Sequence, residues 1–364
     1  MNNIILTLLF LFGTSFSFAQ KSDSVRIAYD YVYFNPQKAI EMANRIIKTS
    51  ENKDDQITAR LIKTNAYSSL DDTYNALKYA FETYDYVKKE KDTFNEARIL
   101  GRIGELFQLY GFNTQSRYYL EKSENLILSK EFSEEKRPMY LGNIYGIKGN
   151  GYKDDLDCDF ALKYYDKSIK SYKSRELNQS TLNNLALVYI EKSNCLIDKS
   201  ILDSATLYLD EAFFVIKKNN LKEYDQSAKT SLARIYQAKK DYTYSNQLLK
   251  EVLKEIKASE PISVNLYVYR ILAQNAFYQQ DYIAYKKYID YIKKINLQLE
   301  KSNQEAKEKS LNFLLYKDQG FWYNLSFFKL PLVLLLVIIF LLFLKNSRNQ
   351  NFLNLKSIFR NNKG

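Results

Sequence analysis

Small and large apolar residues follow one another along most of the chain in a fixed order. From Tyr145 the order runs Tyr145, Gly149, Tyr152, then Ala161, Tyr165, Ser168. Each trio has the i, i+4, i+7 spacing of one helical face. The stretch between them, GNGYKDDLDCDF, carries the polar break of a helix–helix turn. The same order occurs upstream at Leu100, Gly104, Phe107, Gly111, Ser116, Leu120, Ser123, and before that at Arg60, Thr64, Tyr67, Ala76, Ala80, Thr83. Downstream it returns as Leu182, Ala186, Tyr189, then Ala205, Leu209, Ala212. Next come Lys229, Ala233, Tyr236, Ser245, Leu249, Val252, and finally Tyr269, Ala273, Ala276, Tyr285, Ile289, Ile292. A weaker copy opens the series around Ala39, Ala43 and Ile46. With ten glycines and four prolines in 364 residues, the chain reads as all-α, about seven helical hairpins in a row.

This spacing resembles the tetratricopeptide repeat (TPR), and the resemblance covers residues 24–295. It implies an α-solenoid of antiparallel pairs, helix A then helix B. We number each copy so that the small residue of helix A is position 8 and that of helix B is position 20. Small residues there let the helices approach closely, and large ones at positions 11 and 24 fill the space beside them. The residues expected to pack the repeats are Gly104, Gly149, Tyr152, Ala161, Ala186, Tyr189, Ala205, Ala212, Ala233, Tyr236 and Ala273. The copies depart from the family's pattern in their period, 37–45 residues, and in lacking a closing proline. In the copy opening at Leu182, seven extra residues, roughly Asn194 to Ser200, separate helix A from helix B.

The glycine-rich turn invites two chemical readings. A phosphate-binding loop needs Lys-Ser or Lys-Thr after its second glycine, and Tyr152-Lys153 follows Gly151. A calcium loop opening at Asp155 needs Gly sixth and Glu twelfth, where Phe160 and Asp166 stand. A hairpin turn fits instead: Gly149 packs helices, and Asp157 or Asp159 is placed to cap helix B.

In a solenoid, helix A lines the concave face. Its positions 2, 5, 9 and 12 give Asn65, Arg98, Glu105, Asn143, Asn150, Asn183, Arg234, Gln237, Arg270 and Gln274, with Tyr267 and Phe277. Amides and guanidinium groups suit the backbone and carboxylates of an extended peptide or a partner helix. A merely solvated concave face is the alternative. The chain has no histidine, which excludes a Ser–His–Asp triad, a His metal ligand and a phosphoacceptor histidine. No nucleophile–base pair or ligand cluster stands out, so the expectation is a binding protein, not an enzyme, with no cofactor and no metal.

The two ends suggest a location. MNNIILTLLFLFGTSFSFAQ has a short apolar run and a Ser17-Phe18-Ala19 ending, the form of a secretory leader over residues 1–19. Residues 325–344, LSFFKLPLVLLLVIIFLLFL, are long and apolar enough for a membrane span. Phe321, Trp322 and Tyr323 precede it, as in an interfacial aromatic belt. The tail 345–364 carries Lys345, Arg348, Lys356, Arg360 and Lys363 and no acid, which orients it to the cytoplasm. Residues 20–295 would then lie outside, in the periplasm of a bacterium, joined to the inner membrane by a helical stalk and juxtamembrane segment over 296–324.

Net charge is +11, but without the tail and Lys329 only about +5 remains over the exterior part. Nucleic acid is therefore not an expected partner, while anionic lipid suits the tail. Cys158 and Cys195 hold equivalent places in neighbouring copies. Such places stack about 10 Å apart, against the roughly 7 Å limit for a bridge, which favours two unpaired thiols. Leader, repeat array, stalk and span in that order are similar to the sensor half of bacterial TPR-containing membrane regulators. A protein or peptide ligand outside and a separate cytoplasmic regulator inside are what that implies. Two other readings stand beside it: a tethered scaffold for envelope assembly, and a regulator truncated before its output domain.

Overall fold

The structure, a computed structural model, describes residues 23–174, 179–221, 224–255, 262–297 and 308. The chain parts into two units, Met1–Glu308 and Lys309–Gly364, and the second lies wholly outside the described residues. So do the leader, the span and the tail, and the stalk segment apart from 296, 297 and 308. Among the described residues no helix is long and apolar enough to cross a membrane.

The described residues are helical hairpins joined by tight turns, with no strand among them. The first pair is α1 (Asp23–Asp30) and α2 (Pro36–Thr49), followed by α3 (Lys53–Ser69) with α4 (Thr73–Lys89) and α5 (Thr93–Leu109) with α6 (Asn113–Leu128). Then come α7 (Arg137–Asp155) with α8 (Cys158–Lys173), α9 (Gln179–Asp198) with α10 (Leu202–Lys218), and α11 (Asp225–Ala238) with α12 (Tyr242–Glu255). The last pair is α13 (Ile262–Tyr278) and α14, helical over residues 282–297.

Local chemistry sets these boundaries. Asn35, Asn52, Asp72, Asp92 and Asp157 each accept hydrogen bonds from backbone N–H groups of the helix that follows. Asp157, not Asp159, is thus the cap of α8. Most A helices end on a left-handed residue: Asp71, Gly111, Ser200, Lys240 and Gln280 all have φ between 55° and 78°. The next residue's N–H then reaches back to the position-11 carbonyl, as in Asp72 to Tyr67 (3.0 Å), Phe112 to Phe107 (2.8 Å) and Asp241 to Tyr236 (2.9 Å).

Packing follows the small-residue notches. A Cβ on Gly104 would sit 2.6 Å from Leu120 Cγ, and one on Gly149 2.5 Å from Tyr165 Cε1, so position 8 must be bare where position 24 is bulky. Ser123 Oγ donates to Ala97 O and Ser168 Oγ to Gly142 O, both at 2.7 Å, an identical bond from position 27 to position 1. Within each pair the contacting residue numbers move in opposite senses, so the helices are antiparallel. The packing residues are sealed: Ala161, Ala186, Ala205, Ala212 and Ala233 are fully buried, Tyr189 and Ala273 nearly so, while Tyr152 and Tyr236 are half-buried.

One frame needs correcting. No insertion separates α9 from α10: α9 runs unbroken to Asp198, and Ile201 N–H bonds to Leu196 O at 2.9 Å, as at the other turns. Leu196 is therefore position 11, Ser193 position 8 and Tyr189 position 4. Ser193 Oγ confirms it by donating to the carbonyl of Ala205, position 20, at 2.8 Å. Ala186 moves to position 1, beside its counterparts Ala97 and Gly142. Seven residues of α9, 179–185, precede this frame, against four in α5 and five in α7. A shift of about two turns returns nearly the same helix face, so Leu182-Ala186-Tyr189 mimics Tyr189-Ser193-Leu196.

The cysteines also differ from expectation. Cys158 and Cys195 form a disulfide with Cα atoms 5.2 Å apart. In the corrected frame they occupy positions 17 and 10, which are not stacked equivalents, so the 10 Å separation does not apply. The bridge ties the first residue of α8 to the last turn of α9.

Candidate functional site

Neighbouring A helices are joined by a row of side-chain bonds. Gln108 donates to Asp154 at 3.0 Å (α5 to α7), and Lys153 pairs with Glu191 (α7 to α9). Ser231 donates to Asn194 at 2.8 Å (α11 to α9), and Gln237 to Asn275 at 2.7 Å (α11 to α13). Burial alone would pull the Lys153 ammonium down, but Glu191 beside it more than reverses this, leaving its pKa raised.

In the second half of the array these helices enclose a cavity of about 620 Å³. Its walls are the end of α7 with the turn to α8, and the inward faces of α9, α11 and α13. Position 5 contributes Ile190, Thr230 and Arg270; position 9 contributes Asn194, Arg234 and Gln274; position 2 adds Ser227 and Tyr267, and position 12 adds Gln237. Arg234 is braced: it donates to Asn194 Oδ1 at 2.9 Å, pairs with Asp198, and lies 5.9 Å from the Tyr267 ring centroid. Burial raises the Tyr267 phenol, so it faces the cavity as a neutral hydroxyl. Arg270 is half-buried and forms no ion pair among the described residues. The cavity's carboxylates have other work. Glu191 holds Lys153, Asp198 holds Arg234, and Asp157 caps α8.

Four of the ten residues expected on the concave face therefore meet here: Arg234, Gln237, Arg270 and Gln274. Five do not. Asn65, Arg98, Glu105, Asn143 and Asn150 are each at most 6% exposed and consumed by the packing. Tyr172 and Asn184 donate to Asn143, Tyr165 donates to Asn150, Arg98 donates to Asn95, and Glu105 pairs with Arg102. Large tyrosines on α8 reach across the hairpin and occupy the amides that would otherwise face outward. Asn183, selected in the uncorrected frame, is half-buried near the start of α9 and is not part of the cavity. Asn194 is the residue that reading missed; the Ser193–Leu196 spacing ahead of the turn would have found it. Among the described residues no group of three or more Cys, Asp or Glu is placed to hold a metal ion.

No protein-family model matches the chain, and no curated protein matches it. Solved structures do. A structure of RapI in its apo form is 12% identical with a TM-score of 0.56, covering 75% of this chain and 99% of that one. A Rap protein complexed with competence and sporulation factor is 12% identical with a TM-score of 0.53, covering 76% and 77%. NprR in complex with its cognate peptide NprX is 12% identical with a TM-score of 0.51, covering 81% and 86%. At such identity the likeness is one of fold. The notched hairpins, the shared turns and these neighbours agree that the chain is a TPR-like helical-repeat protein.

Proposed function

We propose that the chain binds an extended segment of another polypeptide in the cavity between α9, α11 and α13. The observation that carries this is Arg270, a cation lining a polar cavity with no ion-pair partner among the described residues, in a row with Asn194, Arg234, Gln237 and Gln274. Amides in that row can pair with backbone N–H and C=O groups of the ligand, and Arg270 with an acidic side chain or a terminal carboxylate. NprR, which shares the fold, was solved with its cognate peptide, and that supports the class of ligand.

We further infer that this domain works outside the inner membrane, as the sensing part of a transmembrane regulatory system. The support is in the sequence: a leader over 1–19, an apolar run over 325–344 and a tail whose charges are all basic. A cytoplasmic regulator reads the signal through the basic tail over 345–364.

Affinity capture from the native cell with the full-length chain, against an Arg270→Glu variant, tests the binding site. A charge-assisted hydrogen bond contributes roughly 1.5–3 kcal/mol, so a specific polypeptide should be retained at least about tenfold more weakly by the variant. Equal capture by both proteins, with equal thermal stability, would refute the assignment.

A further inference from the structure

The charges that line the cavity are divided between its two ends. Its three acids, Asp157, Glu191 and Asp198, lie on the turn into α8 or on α9, while α11 and α13 contribute Arg234 and Arg270 and no acid. Glu191 is spent on Lys153. The two aspartates, both exposed, are engaged among the described residues through Oδ1. Asp157 Oδ1 accepts both cap bonds, from the N–H groups of Asp159 at 2.8 Å and Phe160 at 3.1 Å, and Asp198 Oδ1 accepts from Arg234. The second oxygen of each suits a cation at this end, and Arg270 suits an anion at the other.

The acidic end is also where the groove stops. The residues that would carry it on to α7 and α5, Asn150, Asn143, Glu105 and Arg98, are buried in the packing. At the other end Gln274 is exposed, and no A helix follows α13 among the described residues. A polypeptide lying along the cavity can run out past α13 but has no path beyond α7. The terminus that suits an end lined by carboxylates is the amino one, whose ammonium carries three donors. Adjacent helix axes lie about 8–10 Å apart, so α9 to α13 spans at most about 20 Å. An extended chain covers that distance in about six residues.

We propose that the ligand is held by a free amino terminus. Its α-ammonium lies against Asp157 and Asp198, and a carboxylate about six residues further on pairs with Arg270. Resting on the binding site proposed above, this narrows the ligand to chains with an unblocked first residue. An internal segment would place a neutral amide against two carboxylates.

The probe is a random hexapeptide library in two forms, free and N-acetylated, passed over the immobilised full-length chain, with retained peptides read by mass spectrometry. The free form should be enriched at least about tenfold over the acetylated one. Asp157→Asn with Asp198→Asn should erase that preference. Asparagine still caps α8 and still offers Arg234 an acceptor, so the fold is kept. Retained peptides should need a carboxylate at their far end with the parent chain and not with Arg270→Gln. Capture repeated with C-terminal amides tells whether that carboxylate is the terminus or an Asp or Glu side chain. Equal retention of the free and acetylated forms, or retention of neither, would overturn the proposal. Capture from cells that still depends on Arg270 would then leave the cavity as a site for an internal segment, whereas capture indifferent to Arg270→Glu would remove the site altogether.

Discussion

An Arg102→Met variant should lose about 3–5 kcal/mol of stability and unfold the array around α5 at ordinary temperature. Arg102 and Glu105 pair at 2.7 Å across one turn of α5, each side chain 3% exposed. Burial works against the Arg102 charge, and Glu105 offsets it, leaving the guanidinium firmly protonated. Methionine fills much of the same volume but takes away the cation that offsets a carboxylate held out of water. The loss is comparable with the whole stability of many domains, about 5–15 kcal/mol. The check is chemical denaturation followed by circular dichroism, with Arg102→Met/Glu105→Leu alongside. If the buried charge is the cause, the double variant recovers most of the loss, because an apolar pair of similar size is often as stable as the ion pair it replaces. If it is no more stable than Arg102→Met, lost packing is the cause instead.

The second large effect concerns the bridge between Cys158 and Cys195, which closes a loop with a sequence separation of 37. Restricting the unfolded chain over that length stabilises the fold by about 4 kcal/mol in the loop-entropy account. Cys158→Ser/Cys195→Ser should therefore melt well below the parent under oxidising conditions, and the two should converge once the parent is fully reduced. Cys158 also lines the cavity, so loss of the bridge frees the wall made by α8 and α9. A variant as stable as the oxidised parent would mean that the two helices hold that geometry unaided.

The repeat itself was legible from sequence because steric need writes it plainly. A bare position 8 against a bulky position 24 leaves a pattern at Gly104–Leu120 and Gly149–Tyr165 that chance rarely gives. The turn at Asp157 was legible for a similar reason, since a cap requires a short acceptor just ahead of an apolar face. The frame of α9 was not. Two choices seven residues apart present the same face, and what separates them is a pair of bonds, Ile201 N–H to Leu196 O and Ser193 Oγ to Ala205 O. That single ambiguity carried three consequences: an insertion that does not exist, Asn183 in place of Asn194, and cysteines set too far apart to join.

Depth was the other thing missing from the pattern. Asn143 and Asn150 hold the same positions in their copy as Ser227 and Arg234 in theirs, yet the amides are taken up by side chains of α8 while Ser227, itself buried, and Arg234 line the cavity. The difference lies in Tyr165 and Tyr172 of α8, whose hydroxyls bond those amides. Periodicity gives the direction of a side chain, while its burial depends on which partners arrive from the neighbouring helix.

The claim on which the functional account rests is that ligand enters between α9, α11 and α13. Amide hydrogen exchange of the full-length chain, with and without the polypeptide it captures, tests this most directly. Slowed exchange confined to residues 187–198, 227–237 and 267–274 is the expected result. Protection on α10 and α12 instead, with those three stretches unchanged, would contradict it.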